Sequence, residues 1–92
     1  MTAHILFFTQ SGCLSCELMR VFLEARALSF EEHDVRADSK AYQVMTEKYG
    51  SNETPTLVVC TDQGEEVVTG FDPERIDFLL APDSLPDSVT EN

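Results

Sequence analysis

The sequence predicts an α/β domain: a four-stranded mixed sheet flanked by three helices, in the order β-α-β-α-β-β-α. Three observations lead there. An apolar, β-forming run is followed by an unbroken helical pattern and a second short strand, and such a β-α-β unit joins parallel strands by a right-handed crossover. Two later strand-like runs stand one tight turn apart, which makes an antiparallel hairpin. Amphipathic stretches then supply helices for both faces of the sheet. A chain of 92 residues is one domain, and 42% hydrophobic residues are enough to build a core.

The elements follow in order. Ala3–Thr9 is short, rich in β-formers and closed by Gln10, Ser11 and Gly12, and reads as a buried strand. From Cys13 to Leu28 no Pro or Gly intervenes, and Leu18, Met19, Phe22, Leu23 and Ala27 recur at helical spacing. Ser29–Val35 reads as a second strand anchored by Phe30 and Val35. Asp38 or Ser39 is placed to cap a second helix running to Tyr49, with Tyr42, Met45 and Tyr49 as its apolar stripe and Gly50 as its stop. Pro55 opens a third strand, Thr56–Thr61. Asp62, Gln63 and Gly64 turn the chain into a fourth, Glu65–Thr69. Asp72 caps the last helix, Pro73 takes its first position, and Ile76, Leu79 and Leu80 form its apolar side. The domain is thus expected over residues 1–81. Residues 82–92, with two prolines and three acids, read as a flexible acidic tail.

Charge excludes whole classes of function. Six Lys and Arg stand against 17 Asp and Glu, a formal net charge of -11. Nucleic-acid binding needs clustered cations, and an anionic membrane surface needs the same. No apolar run approaches the ~20 residues of a membrane span. Met1–Gln10 has no basic segment and an apolar stretch only from Ile5 to Phe8, so it is not read as a signal peptide, and a cytoplasmic, reducing address is expected. Three cysteines are too few for a disulfide scaffold and suit catalytic, metal-binding or structural thiols.

The sharpest chemical signal is Cys13-Leu14-Ser15-Cys16, directly after a predicted strand and opening a predicted helix. A cysteine there faces unpaired N–H groups and the positive end of the helix dipole, so Cys13 is the expected reactive thiolate. Cys16 follows one turn later, near enough to attack a mixed disulfide on Cys13. Two buried, inert core cysteines are the bland alternative. Zinc is another: it needs about four ligands, and only Cys60, His4 and His33 stand available to join the pair. Cys60 itself reads as a buried strand thiol. Two weaker signals accompany the pair. Thr54-Pro55 is either an ordinary strand start or a cis bond that frees the backbone of Thr54 for an extended substrate. Gly70-Phe71-Asp72-Pro73 is either a strand end before a capped helix or a helix N-terminus that holds an anionic group. Arg20 is expected to offset local acidity or to pair with Glu17 or Glu24.

Together these residues resemble the glutaredoxin/thioredoxin superfamily from about Ala3 to Ala81. Phe7-Phe8-Thr9-Gln10-Ser11-Gly12-Cys13-Leu14-Ser15-Cys16 resembles its first strand and redox loop. Thr54-Pro55-Thr56 looks like its cis-proline segment, and Gly70-Phe71-Asp72-Pro73-Glu74-Arg75-Ile76 is similar to the Gly-Phe-x-Pro-Asp-x-Ile pattern of NrdH-type redoxins. The resemblance implies a thioredoxin-like fold and a small dithiol–disulfide oxidoreductase that reduces protein disulfides. Cys13 would be the nucleophile and Cys16 the resolving thiol, with Thr54, Pro55, Gly70, Phe71 and Asp72 contacting the substrate. It further implies a monomer with no bound cofactor, recharged by glutathione or a flavoprotein such as thioredoxin reductase. The chain departs from the pattern at Leu14-Ser15, at Gln10 in place of a Lys, at Glu53 in place of a Thr, and in the missing second Gly before Asp72. Weak binding of anionic glutathione is the expected consequence. A thioredoxin-fold binding module with little turnover, and metal or iron–sulfur binding through the pair, stand as the alternatives.

Overall fold

Phe7 and Phe8 are neighbours on one strand, so their side chains leave opposite faces of the sheet, and each anchors a separate core. The computed structural model describes residues 4–80; the expected tail at 82–92 lies outside the described residues. Strand β1 spans His4–Thr9, β2 Glu31–Asp34, β3 Thr56–Thr61 and β4 Gly64–Thr69. They form one sheet in the order β2-β1-β3-β4, with β1 parallel to β2 and antiparallel to β3, and β3 antiparallel to β4. Helix α1 spans Leu14–Ala25, α2 Ser39–Gln43 and α3 Pro73–Leu80. This is the predicted mixed sheet with three helices. Among the described residues no helix is long and apolar enough to cross a membrane.

Ile5, Phe7, Leu57, Val59 and Val68 face α1 and α3, where Cys16, Met19, Leu23 and Ile76 close on them. Phe8 and Val58 face the other way, against Val35, Ala41 and Met45. The sheet is therefore covered on both sides, as an apolar sheet requires. Between β3 and β4 the register pairs Thr61 with Gly64, which leaves Asp62 and Gln63 as the turn.

Several boundaries differ from the sequence expectation. α1 stops at Ala25 rather than Leu28 because Ala27 adopts a left-handed backbone, φ 57°, and turns the chain. The N–H of Leu28 then reaches back to the carbonyl of Leu23 at 3.1 Å, closing orphan groups at the helix end. Leu28 and Phe30 turn inward against the core, and Phe30 meets the ring of Phe7 edge-on at 5.7 Å. β2 is consequently shorter than Ser29–Val35; Val35 stays tied to β1 through its N–H to the carbonyl of Thr9, 2.8 Å.

Asp38 caps α2, its Oδ1 accepting the N–H of Lys40 at 3.0 Å and that of Ala41 at 3.3 Å. Past Gln43 the helix continues as a π-helical segment, Val44–Lys48. The buried side of this element is Ala41 and Met45 with Val44 and Tyr49 half-buried, whereas Tyr42, expected in the stripe, is exposed. Helical spacing puts Ala41 and Met45 on one line, and Tyr42 lies one position off it.

Candidate active site

Gly12, at φ 79°, supplies the left-handed turn that ends the β1 loop and aims the chain into α1. Cys13 is the residue that caps this helix. Its backbone is extended, φ -97° and ψ 109°, and its Sγ accepts the N–H of Cys16 at 3.1 Å. A sulfur thus occupies the place that a Ser or Asp oxygen fills in an ordinary cap. Cys13 and Cys16 are joined as a disulfide with their Cα atoms 5.2 Å apart. The two sulfurs differ in access: Cys16 is 0% exposed and belongs to the α1 core, whereas Cys13 is only partly buried.

The Thr54–Pro55 bond is cis. Thr54 lies against Cys13, its hydroxyl 3.7 Å and its carbonyl oxygen 3.9 Å from Cys13 Sγ. The sequence marked Thr54 for its backbone; the hydroxyl is the addition the fold makes. The N–H of Gly70 donates to the carbonyl of Pro55 at 2.8 Å, which fastens the end of β4 to the proline segment. Phe71 then packs edge-on against Phe22 of α1, ring centroids 5.9 Å apart. Pro55 is buried, while Thr54, Gly70 and Phe71 are half-buried. Asp72 caps α3: its Oδ1 accepts the N–H of Arg75 at 3.2 Å. That carboxylate takes up an N–H that an external anion would need, so this helix start is served from within the chain.

Arg20 sits one turn beyond Cys16 and donates to Glu17 at 2.6 Å and to Glu32. The sequence offered Glu17 or Glu24; the fold delivers Glu17 together with Glu32 of β2. Hydrogen bonds donated to Glu32 and then to Glu17 hold the guanidinium well above its ordinary pKa. Its charge is thereby committed to two carboxylates.

Ser11 in the redox loop donates to Asp34 Oδ2 at 3.2 Å, a link that no local sequence signal announced. The other oxygen of Asp34 accepts the N–H of Arg36 at 2.9 Å and that of Ala37 at 3.3 Å. These bonds, that of Arg36 first, hold the Asp34 carboxyl below its usual range. A depressed folded pKa contributes stability that is present above the ordinary aspartate value, about 3.9, and is lost as pH falls through the folded value. The Asp34→Asn variant should therefore melt below the parent chain at neutral pH, and the gap should close in acid. Thermal melts across pH test this, and a gap that is constant with pH would contradict it.

Cys60 lies on the opposite face of the sheet, in the Phe8 core, and is partly exposed rather than buried as expected. It is the next-to-last residue of β3, where burial along the strand gives way to partial exposure. Its Sγ donates to Glu65 Oε2 at 3.6 Å, and desolvation, reinforced by that carboxylate, pushes its pKa up. His4 and His33 both approach Glu31, at 3.8 and 3.2 Å. Among the described residues no group of three or more His, Cys, Asp or Glu is arranged to hold a metal ion.

A cysteine pair that opens the first helix of a four-stranded mixed sheet, with a cis-proline segment laid against its first sulfur, defines a thioredoxin-like protein. Comparison with known proteins narrows the class. The glutaredoxin family model matches residues 5–63, more than half of the chain, and the chain belongs to that family of thiol oxidoreductases. It is 32% identical over 78 residues to the Gene 56 protein of Mycobacterium phage L5, covering 85% of this chain and 73% of that one. It is similar to the thioredoxin-like protein BC3987 in structure, with TM-score 0.74 and 37% identity over 83% of this chain and 99% of the other. NrdH-redoxin from Escherichia coli shares the fold at TM-score 0.69 and 24% identity, with 83% and 93% of the two chains covered.

Proposed function

We propose that this chain is a dithiol–disulfide oxidoreductase that reduces protein disulfides, with Cys13 as nucleophile and Cys16 as resolving thiol. The observation that carries this reading is the unequal access of the two sulfurs: a substrate can reach Cys13, while Cys16, 0% exposed, can be reached only by the sulfur of Cys13. The Cys16 N–H, the Thr54 hydroxyl and the start of α1 all favour negative charge on Cys13 Sγ.

In the reduced chain the Cys13 thiolate attacks one sulfur of the substrate disulfide. That S–S bond breaks, a mixed disulfide forms, and the first substrate thiolate leaves and takes up a proton. Cys16 then gives up its proton and attacks Cys13 Sγ, which closes the Cys13–Cys16 disulfide and expels the second substrate thiolate. Two electrons and two protons pass to the substrate. An external dithiol, glutathione or a flavoprotein reductase returns them.

The remaining predicted residues fit a substrate groove. Among the described residues no backbone hydrogen bond engages the Thr54 N–H, so Thr54 can pair with an extended substrate segment beside Pro55. Gly70, Phe71 and Asp72 border the same end of the sheet. The cycle needs only one chain, which suits a monomer, and its persistence as a reductant suits a reducing compartment such as the cytoplasm.

The test is stoichiometric. The reduced full-length chain is mixed with insulin and no other reductant. It should release two insulin thiols per chain and lose two hydrogens by mass from the Cys13–Cys16 peptide. Failure to release thiols would make the domain a binding module. Adding glutathione or thioredoxin reductase with NADPH in separate arms then identifies the donor by which one sustains turnover.

A further inference from the structure

The outer side of α1 carries more apolar surface than the fold uses. Cys16, Met19 and Leu23 already fill its buried side. Yet Leu14, Leu18 and Val21 are 74%, 48% and 62% exposed. Positions 14, 18 and 21 fall on one helical face, diametrically opposite the core, and form a stripe about 10 Å long. A surface helix needs a single apolar side. Helix propensity favours Leu at 14 and 18 but not the β-branched Val21, which is a poor helix former at an exposed site. The stripe begins at the residue that follows the nucleophile.

Charge defines what can cover it. Glu17 and Glu24 run along one flank, two turns apart, and are exposed. Arg20 between them is held by Glu17 and Glu32. On the other flank Arg26 is engaged by Asp77 at 2.8 Å and lies over the Phe22 ring at 3.9 Å. On α3, Arg75 pairs with Glu66 at 3.2 Å. Arg20, Arg26 and Arg75 are thus each matched to a carboxylate, and among the described residues no salt bridge engages Glu24. A second copy of this chain would bring its own net charge of -11 to the contact.

Resting on the oxidoreductase reading above, we infer that the Leu14–Leu18–Val21 face is a docking surface for the protein redox partner, and that this partner presents an apolar ridge flanked by Lys and Arg. The surface is distinct from the Thr54–Phe71 groove. Phe71 meets α1 at Phe22, on the flank away from Glu17 and Glu24. A contact of three apolar side chains with a charged rail is small, as transient redox encounters are, and it gains on-rate from opposite charge.

Two synthetic peptides test this. Both carry the same cyclic disulfide followed by an amphipathic leucine helix, flanked by Lys in one and by Glu in the other. The full-length chain should reduce the Lys peptide at least about tenfold faster at low salt, within the range of electrostatic steering, and salt should shrink the difference. The Leu18→Ser/Val21→Ser variant should reduce the Lys peptide several-fold more slowly while reducing hydroxyethyl disulfide at the parent rate. Phe78→Ser, an equally exposed apolar site on α3, should change neither rate. Should the double variant fold poorly by circular dichroism, Glu17→Gln/Glu24→Gln should instead lose the preference for Lys. Equal rates on the two peptides, or a stripe or charge variant that keeps the full preference, would overturn the inference. Failure of the parent chain to reduce hydroxyethyl disulfide would instead overturn the oxidoreductase reading, and the docking inference with it.

Discussion

The Cys13→Ser variant should lose disulfide reduction by several orders of magnitude, and Cys16→Ser should fail in a different way. A serine hydroxyl at position 13 is not ionised at neutral pH and is a poor nucleophile, so no mixed disulfide forms. The cap survives, because Ser is a preferred residue at that place and its oxygen accepts the same N–H. The loss should therefore appear in the insulin reaction without a loss of helix content by circular dichroism. In Cys16→Ser the first attack remains possible but no resolving thiol is present. A covalent adduct on Cys13 should accumulate and be seen as added mass. If instead the adduct formed on Cys16 in Cys13→Ser, the two roles would have to be exchanged.

The Phe7→Ala variant should be the most damaging change to stability. Phe7 is 0% exposed at the centre of the α1-side core, edge-on to Phe30, with the Arg20 guanidinium 5.9 Å from its ring. Removing a buried Phe side chain costs about 3–5 kcal/mol through lost transfer energy and the cavity left behind, a large share of the roughly 5–15 kcal/mol that holds a domain folded. For a domain of this size the melting temperature should fall by roughly 15 °C or more. A thermal melt of the reduced chain checks it, and a fall of only a few degrees would mean that the core refills the space. Activity lost by this variant should return on cooling well below its transition, which separates unfolding from damage to the site.

Much of the fold was legible because its signals are local. The order of elements, the hairpin turn and the helix cap each depend on residues close together in the chain: the turn falls within the expected Asp62–Gly64, with Gly64 already in β4, and Asp38 is the cap of the two residues expected. The misplaced boundaries have non-local causes. Ala27 turns left-handed without the Gly that would announce it, because Leu28 and Phe30 are drawn into the core beside Phe7. Tyr42 looked like part of an apolar stripe, but the sheet face it would need is taken by Ala41 and Met45.

The candidate site divides the same way. Sequence alone pointed to thiol chemistry, since a Cys-x-x-Cys pair after a strand and a glycine turn is placed to begin a helix with its sulfurs one turn apart, though inert core thiols and zinc stood beside that reading. It also marked Thr54, Pro55, Gly70, Phe71 and Asp72, but not what each would touch. Only the tertiary structure decided that Cys13 is reachable while Cys16 is sealed, and that the Thr54 hydroxyl, 41 positions along the chain, approaches Cys13 Sγ. It alone tied Ser11 to Asp34 and Arg20 to Glu32, and left Leu14, Leu18 and Val21 uncovered. The physical reason is range: backbone preferences and helix periodicity act within a few residues, whereas burial and side-chain pairing depend on which distant segments the sheet brings to the same face.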